Sequence, residues 1–282
     1  MFELLEFEFM RNALAAGILT SIICGIIGTL VVVNRLTFLS GGIAHSAYGG
    51  IGLSFYLGLP WLPSSVGFAL CSALVMAAVS LRARERSDTI IGVMWAVGMA
   101  SGILLLDMTP GYNVDLMSYL FGSILSVSSQ EIEVMAGAVV VIGCGVLYFF
   151  QDLMLMSYDG EFAQTKGVPV KRLYFLLVGS VAVTVVLVVQ VVGLILVIAL
   201  LTIPPSIAEN YSKSLAQMMF FSCLLGICFS CVGLLLSCRL DLTSGAAIIC
   251  VAGSVFFLQL LLEWYRKRVV LRRVYYKKGE NG

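Results

Sequence analysis

The chain has 282 residues, of which 60% are hydrophobic and 12% charged, with a formal net charge of +1 and a mean hydropathy of +1.02. Soluble chains carry about 45–50% apolar and about 25% charged residues, so this composition excludes a soluble globular domain. The near-neutral balance excludes a nucleic-acid binder working by bulk positive charge, and no G-x-x-x-x-G-K-[ST] occurs that would cradle ATP phosphates. The chain reads as all-α, a polytopic integral membrane helix bundle.

Residues 1–9 form an acidic segment with Glu3, Glu6 and Glu8, the wrong sign for the basic start of a signal peptide. A helix needs about 20 apolar residues to cross a bilayer. Nine candidate spans follow, at 10–33, 36–58, 63–81, 88–106, 132–150, 173–190, 193–208, 215–236 and 244–262, within a transmembrane domain at 10–264. The second span holds the chain's single histidine, His45, about 13 Å deep if the helix begins near Leu36. An ionisable group at that depth is costly and points to function. Neutral imidazole is a common ligand for divalent zinc, manganese and iron. The alternative is a structural histidine, hydrogen-bonded across helices. Gly41, Gly42, Gly49 and Gly50 in the same span favour close helix packing. One histidine cannot complete a four-coordinate site, although a homodimer would present two.

Asp88 opens the fourth span as a cap or dipole partner. Residues 116–127 are apolar but too short to cross, and read as a half-helix. The longest polar interruption, 151–172, reads as a short helix capped by Ser157 or Asp159. Glu161 lies at its positive end, Gly167 is at the left-handed C′ position, and Pro169 stops continuation. Such a helix could slot into a cytosolic partner or lie on lipid headgroups with Phe162 inserted. Gln190 to Gly193 breaks the chain between the sixth and seventh spans. Glu209 and Lys213 have the spacing of an i, i+4 ion pair. Cys228 and Cys231 have C-x-x-C spacing but no second pair, and read as packing residues. The tail, 265–282, is basic.

Orientation follows from the loops. Placing Arg266, Lys267, Arg268, Arg272, Arg273, Lys277 and Lys278 in the cytoplasm puts Arg35, Arg82, Arg84, Arg86, Lys166, Lys171, Arg172 and Lys213 there too. That is 15 of the 17 Lys and Arg. The positive-inside rule therefore predicts an outward N-terminus, a cytoplasmic C-terminus and an inner or plasma membrane location.

Several ordered pieces then carry a likeness. They are VNRLTFL (33–39) leading into the His45 span, SDTIIG (87–92), DLMSYLFGSIL (115–125), YDGEFAQTKGV (158–168), VGLILVIALLTIP (192–204) and LDLTSGA (240–246). Together they resemble the permease subunit of the metal ABC importer family, which takes up zinc, manganese or iron. The resemblance implies a type II ABC importer-like permease with no enzymatic chemistry and no cofactor, whose cargo is a divalent metal. It implies a homodimer, two cytosolic ABC ATPase subunits and an external metal-loaded solute-binding protein. Asp159, Gly160, Glu161, Phe162, Ala163 and Gly167 would form the coupling helix, and His45 the family's membrane histidine on the translocation path. The family often has an aspartate four residues before that histidine. Here the position is Gly41, a departure that places zinc first and manganese or iron after it. Three alternatives remain: a permease for a siderophore- or cobalamin-like chelate, a secondary carrier without an ATPase, and a non-transporting membrane scaffold.

Overall fold

The computed structural model describes residues 8–82, 86–110, 122 and 124–279, with side chains described as far as residue 265. Eleven α-helices run through the described residues: α1 (Glu8–Val33), α2 (Thr37–Leu57), α3 (Trp61–Arg82), α4 (Ser87–Asp107), α5 (Ser129–Tyr148), α6 (Phe150–Tyr158), α7 (Gly160–Thr165), α8 (Val170–Val192), α9 (Leu194–Glu209), α10 (Leu215–Leu240) and α11 (Ser244–Gly279). A 3₁₀ turn, Ile124–Ser126, precedes α5. Of the expected half-helix at 116–127, residues 116–121 and 123 lie outside the described residues.

Each of the nine expected spans is helical, yet seven helices are long and apolar enough to cross a membrane, so the nine-span count does not carry over. The two exceptions have different causes. α9 has 16 residues, and at a rise of about 1.5 Å each it falls short of the hydrocarbon thickness. α2 is long enough, but glycine, serine and threonine dilute its hydropathy. It buries 13 of its 21 residues against protein, where its small residues allow close helix packing.

Two groups of helices make the bundle. α2 packs on α3 and α4, whereas α1 packs on α9 and α10, with α11 against α9 and α10. α8 joins the groups by touching α1, α2, α3 and α9. Between α1 and α10 the contact is partly polar: Ser21 and Ser230 hydroxyls lie 3.0 Å apart, and Thr29 Oγ1 donates to Ser222 Oγ at 3.2 Å. Small hydroxyl residues let backbones approach and satisfy one another where water is absent. α5 is the opposite case, burying only Met135 and Val146. Its N-terminus is fixed by a capping box in which Ser128 and Glu131 exchange hydrogen bonds, and Gln190 Nε2 on α8 donates to Glu131 Oε1 at 2.7 Å.

The break expected at Gln190–Gly193 falls on Gly193, whose φ of 83° separates α8 from α9. The Glu209–Lys213 ion pair does not form. α9 ends at Glu209, so Lys213 is not on the same helix, and its backbone N–H donates instead to Gln217 Oε1 at 3.1 Å. Asp88 sits in the first turn of α4 at a dipole position, while the residue before the helix, Arg86, makes no side-chain cap.

Candidate functional site

His45 lies midway along α2. Its surroundings follow from how closely α4 approaches. A Cβ built on Gly98 would sit 2.9 Å from Ser46 Cα, and one on Gly102 would sit 2.5 Å from the Tyr48 carbonyl oxygen. Only glycine tolerates that contact, and it draws the preceding turn of α4 over the histidine. The Trp95 ring stacks on the imidazole with centroids 4.2 Å apart and planes 22° from parallel. Phe38, from the first turn of α2, also lies against Trp95, with ring centroids 6.2 Å apart.

The imidazole makes no hydrogen bond among the described residues, and its Nδ1 is buried. A structural histidine would need a partner across helices; none is present among the described residues. An unmade hydrogen bond at a buried nitrogen costs about 1–3 kcal/mol. Of the four glycines singled out in this span, three abut neighbours. A Cβ on Gly42 would lie 2.7 Å from Ile91 Cγ2, one on Gly49 the same distance from Phe68 Cζ, and one on Gly50 2.8 Å from Ser65 Cα. Gly41, one turn before His45, is different: a Cβ there meets nothing within 4 Å. Space is therefore open at the position where the resemblance leads one to expect a carboxylate.

Among the described residues no three His, Cys, Asp or Glu side chains gather as a metal site. A cation beside His45 would meet one imidazole and, among the described residues, no cluster of further His, Cys, Asp or Glu ligands.

Trp95 escapes the sequence reading, but a signal existed. Of the three tryptophans, Trp61 and Trp264 fall near the ends of apolar stretches, where tryptophan usually sits, whereas Trp95 is mid-span.

The second candidate element is α7. Asp159 caps it, its Oδ1 accepting from the Phe162 N–H at 2.9 Å. Ser157 does not cap; its hydroxyl donates to the Leu153 carbonyl. Gly167, at φ 83°, closes the far end with a Schellman pair, Val168 N–H to Ala163 O and Gly167 N–H to Gln164 O, both at 3.0 Å. Pro169 then precedes α8. Gly160 opens the helix and Glu161 occupies its first turn. Phe162 is 50% exposed with the Lys166 ammonium 5.5 Å from its ring centre, whereas Ala163 is fully buried and cannot touch a partner. Asn34 ties the two elements together: its Nδ2 donates to the Leu30 carbonyl and to Ser157 Oγ, each at 2.8 Å. The turn that launches α2 is thereby bonded to α6 just ahead of α7.

Comparison with known proteins gives a consistent result. The profile of the ABC 3 transport family matches residues 6–263. The uncharacterized membrane protein slr2045 of Synechocystis sp. is 48% identical over 260 residues, covering 92% of each chain. The manganese transport system membrane protein MntC of Halalkalibacterium halodurans is 30% identical over 256 residues, 91% of this chain and 88% of that one. Among solved structures, PsaBC from Streptococcus pneumoniae in complex with Fab superposes with a TM-score of 0.82 at 30% identity, covering 90% of this chain and 92% of that one.

Proposed function

The chain belongs to the ABC 3 transport family as the membrane permease of a metal importer, a transport component and not an enzyme, and on that premise we propose that it carries divalent manganese past His45. The observation that carries this reading is the buried, unbonded Nδ1 of a lone histidine stacked on Trp95. MntC, a relative over nearly the whole length, is named for manganese transport, and this supports manganese over zinc. The zinc preference inferred from Gly41 has no such support. Donor chemistry alone favours zinc or ferrous iron at an imidazole without a carboxylate. A site that an ion only traverses, however, need not hold its cargo tightly.

In this proposal the permease works as a homodimer, so that two His45 imidazoles border one path. An external binding protein delivers the ion, and two cytosolic ATPase subunits grip α7 through exposed Phe162. Motion of α7 reaches α2 through α6 and the Asn34–Ser157 hydrogen bond, alternating access around His45. The N-terminus lies outside and the basic tail inside, as the loop charges require.

The test is ATP-dependent uptake into vesicles containing the reconstituted complex, with manganese, zinc and ferrous iron in competition. Manganese should outcompete the others. His45→Ala should lower uptake on the order of tenfold or more while the complex still assembles. Wild-type uptake by that variant would remove His45 from the path, and zinc-dominated competition would overturn the cargo.

A further inference from the structure

At the face of the bundle that carries α7, a cleft of about 1110 Å³ opens among the ends of α1 and α3 and the starts of α2, α4 and α8. Arg35, Arg82 and Lys171 line it, and no carboxylate does among the described residues. None of the three cations makes an ion pair or side-chain hydrogen bond among those residues. All three side chains are exposed, so water and salt screen their mutual repulsion, and together they leave a local positive field at the cleft that favours an anion. Arg35 is held there by a left-handed backbone, φ 58°, uncommon for a residue other than glycine. The adjoining Asn34 bond to Ser157 fixes the turn. Serine hydroxyls at positions 80 and 87 add polar groups, whereas Leu36 and Phe175 give the cleft apolar wall. Of the three helices that begin here, α2 and α8 have neither a side-chain cap nor an acidic residue in the first turn, so their positive ends add to the same field, whereas Asp88 offsets that of α4.

We propose that this cleft binds the phosphate headgroup of an anionic phospholipid. Arginine and lysine at the water boundary of apolar helices match phosphate oxygens, and the apolar wall suits the glycerol and upper acyl region rather than a fully hydrated ion. A lipid so placed touches Gln164 of α7 as well as the α1–α2 turn, and would brace the elements that move relative to one another. The proposal concerns a ligand that stays bound and does not depend on the cargo.

Native mass spectrometry of the full-length protein decides it, after incubation in mixed micelles with equal phosphatidylglycerol and phosphatidylcholine. Phosphatidylglycerol should be retained preferentially. Arg82→Gln and Lys171→Gln should each lower that retention about fivefold, and the charge-keeping pair Arg82→Lys and Lys171→Arg should restore most of it. Equal retention of the two lipids by wild-type protein overturns the proposal without any variant. So does undiminished phosphatidylglycerol on the glutamine variants. If inorganic phosphate alone raises the wild-type melting point but not that of the variants, while phosphatidylglycerol is not retained, the site takes a free anion and the lipid assignment fails. If the substitutions leave lipid untouched but weaken recovery of the cytosolic ATPase, the cleft is a protein-docking surface and the proposal is likewise wrong.

Discussion

At His45 a ring stack stands where a hydrogen bond would be expected. Stacked aromatic pairs are worth about 0.5–1.5 kcal/mol beyond the area they bury, enough to fix the imidazole plane without occupying a nitrogen. On the proposed path, Trp95 would be a positioning residue, acting on the cargo through His45. Trp95→Ala should raise the apparent KM for metal uptake several-fold, and Trp95→Phe should recover most of it. Because the chain has a single histidine, selective ¹⁵N-histidine labelling gives one imidazole signature. That signature should broaden or shift in the alanine variant. An unchanged spectrum together with altered uptake would mean that Trp95 acts elsewhere. The histidine was legible in the sequence because an ionisable group in an apolar run is conspicuous. Its partner was not, because Trp95 lies fifty residues away on a helix whose register only packing defines.

Among the helices, α7 was the most legible. Its Asp159 cap, Gly167 terminus and Pro169 stop are local chemistry, set by bonds spanning no more than five residues. The sequence did not separate two neighbouring side chains that the resemblance assigns to the coupling helix. Phe162 projects outward and Ala163 is buried, so the two substitutions should part company. Phe162→Asp should leave helix content and melting unchanged while uncoupling ATP hydrolysis from uptake, read as hydrolysis that no longer scales with metal transported. Ala163→Asp should instead lower the yield of folded protein, since an unpaired charge would be forced into a packed contact. If Phe162→Asp transports and couples normally, α7 rests on lipid headgroups rather than on an ATPase.

For the molecule as a whole, stability is concentrated where backbones meet. α2 and α4 approach at Gly98 and Gly102 to within the reach of a single methyl group. Gly98→Leu should separate the pair at a cost of about 1–3 kcal/mol, detectable as a lower melting point in detergent. At Gly137 on α5, where an added Cβ meets nothing within 4 Å, the same change should be nearly neutral. Equal effects at the two positions would show that the approach of α2 to α4 does not limit stability.

Composition, periodic apolar runs and loop charge were enough to give an all-helical membrane protein, the segments that become helices, the Gly193 break and the ends of α7. All of these rest on properties of single residues or on interactions along a few turns of chain. Tertiary structure alone decided that Trp95 covers His45, that Asn34 is bonded to Ser157, and that Arg35, Arg82 and Lys171 share one cleft. Those residues are separated by tens to more than a hundred positions. The meeting of His45 and Trp95 depends on how closely α2 and α4 approach, a distance set at Gly98 and Gly102 by the atoms a glycine lacks rather than by any pattern written along the chain.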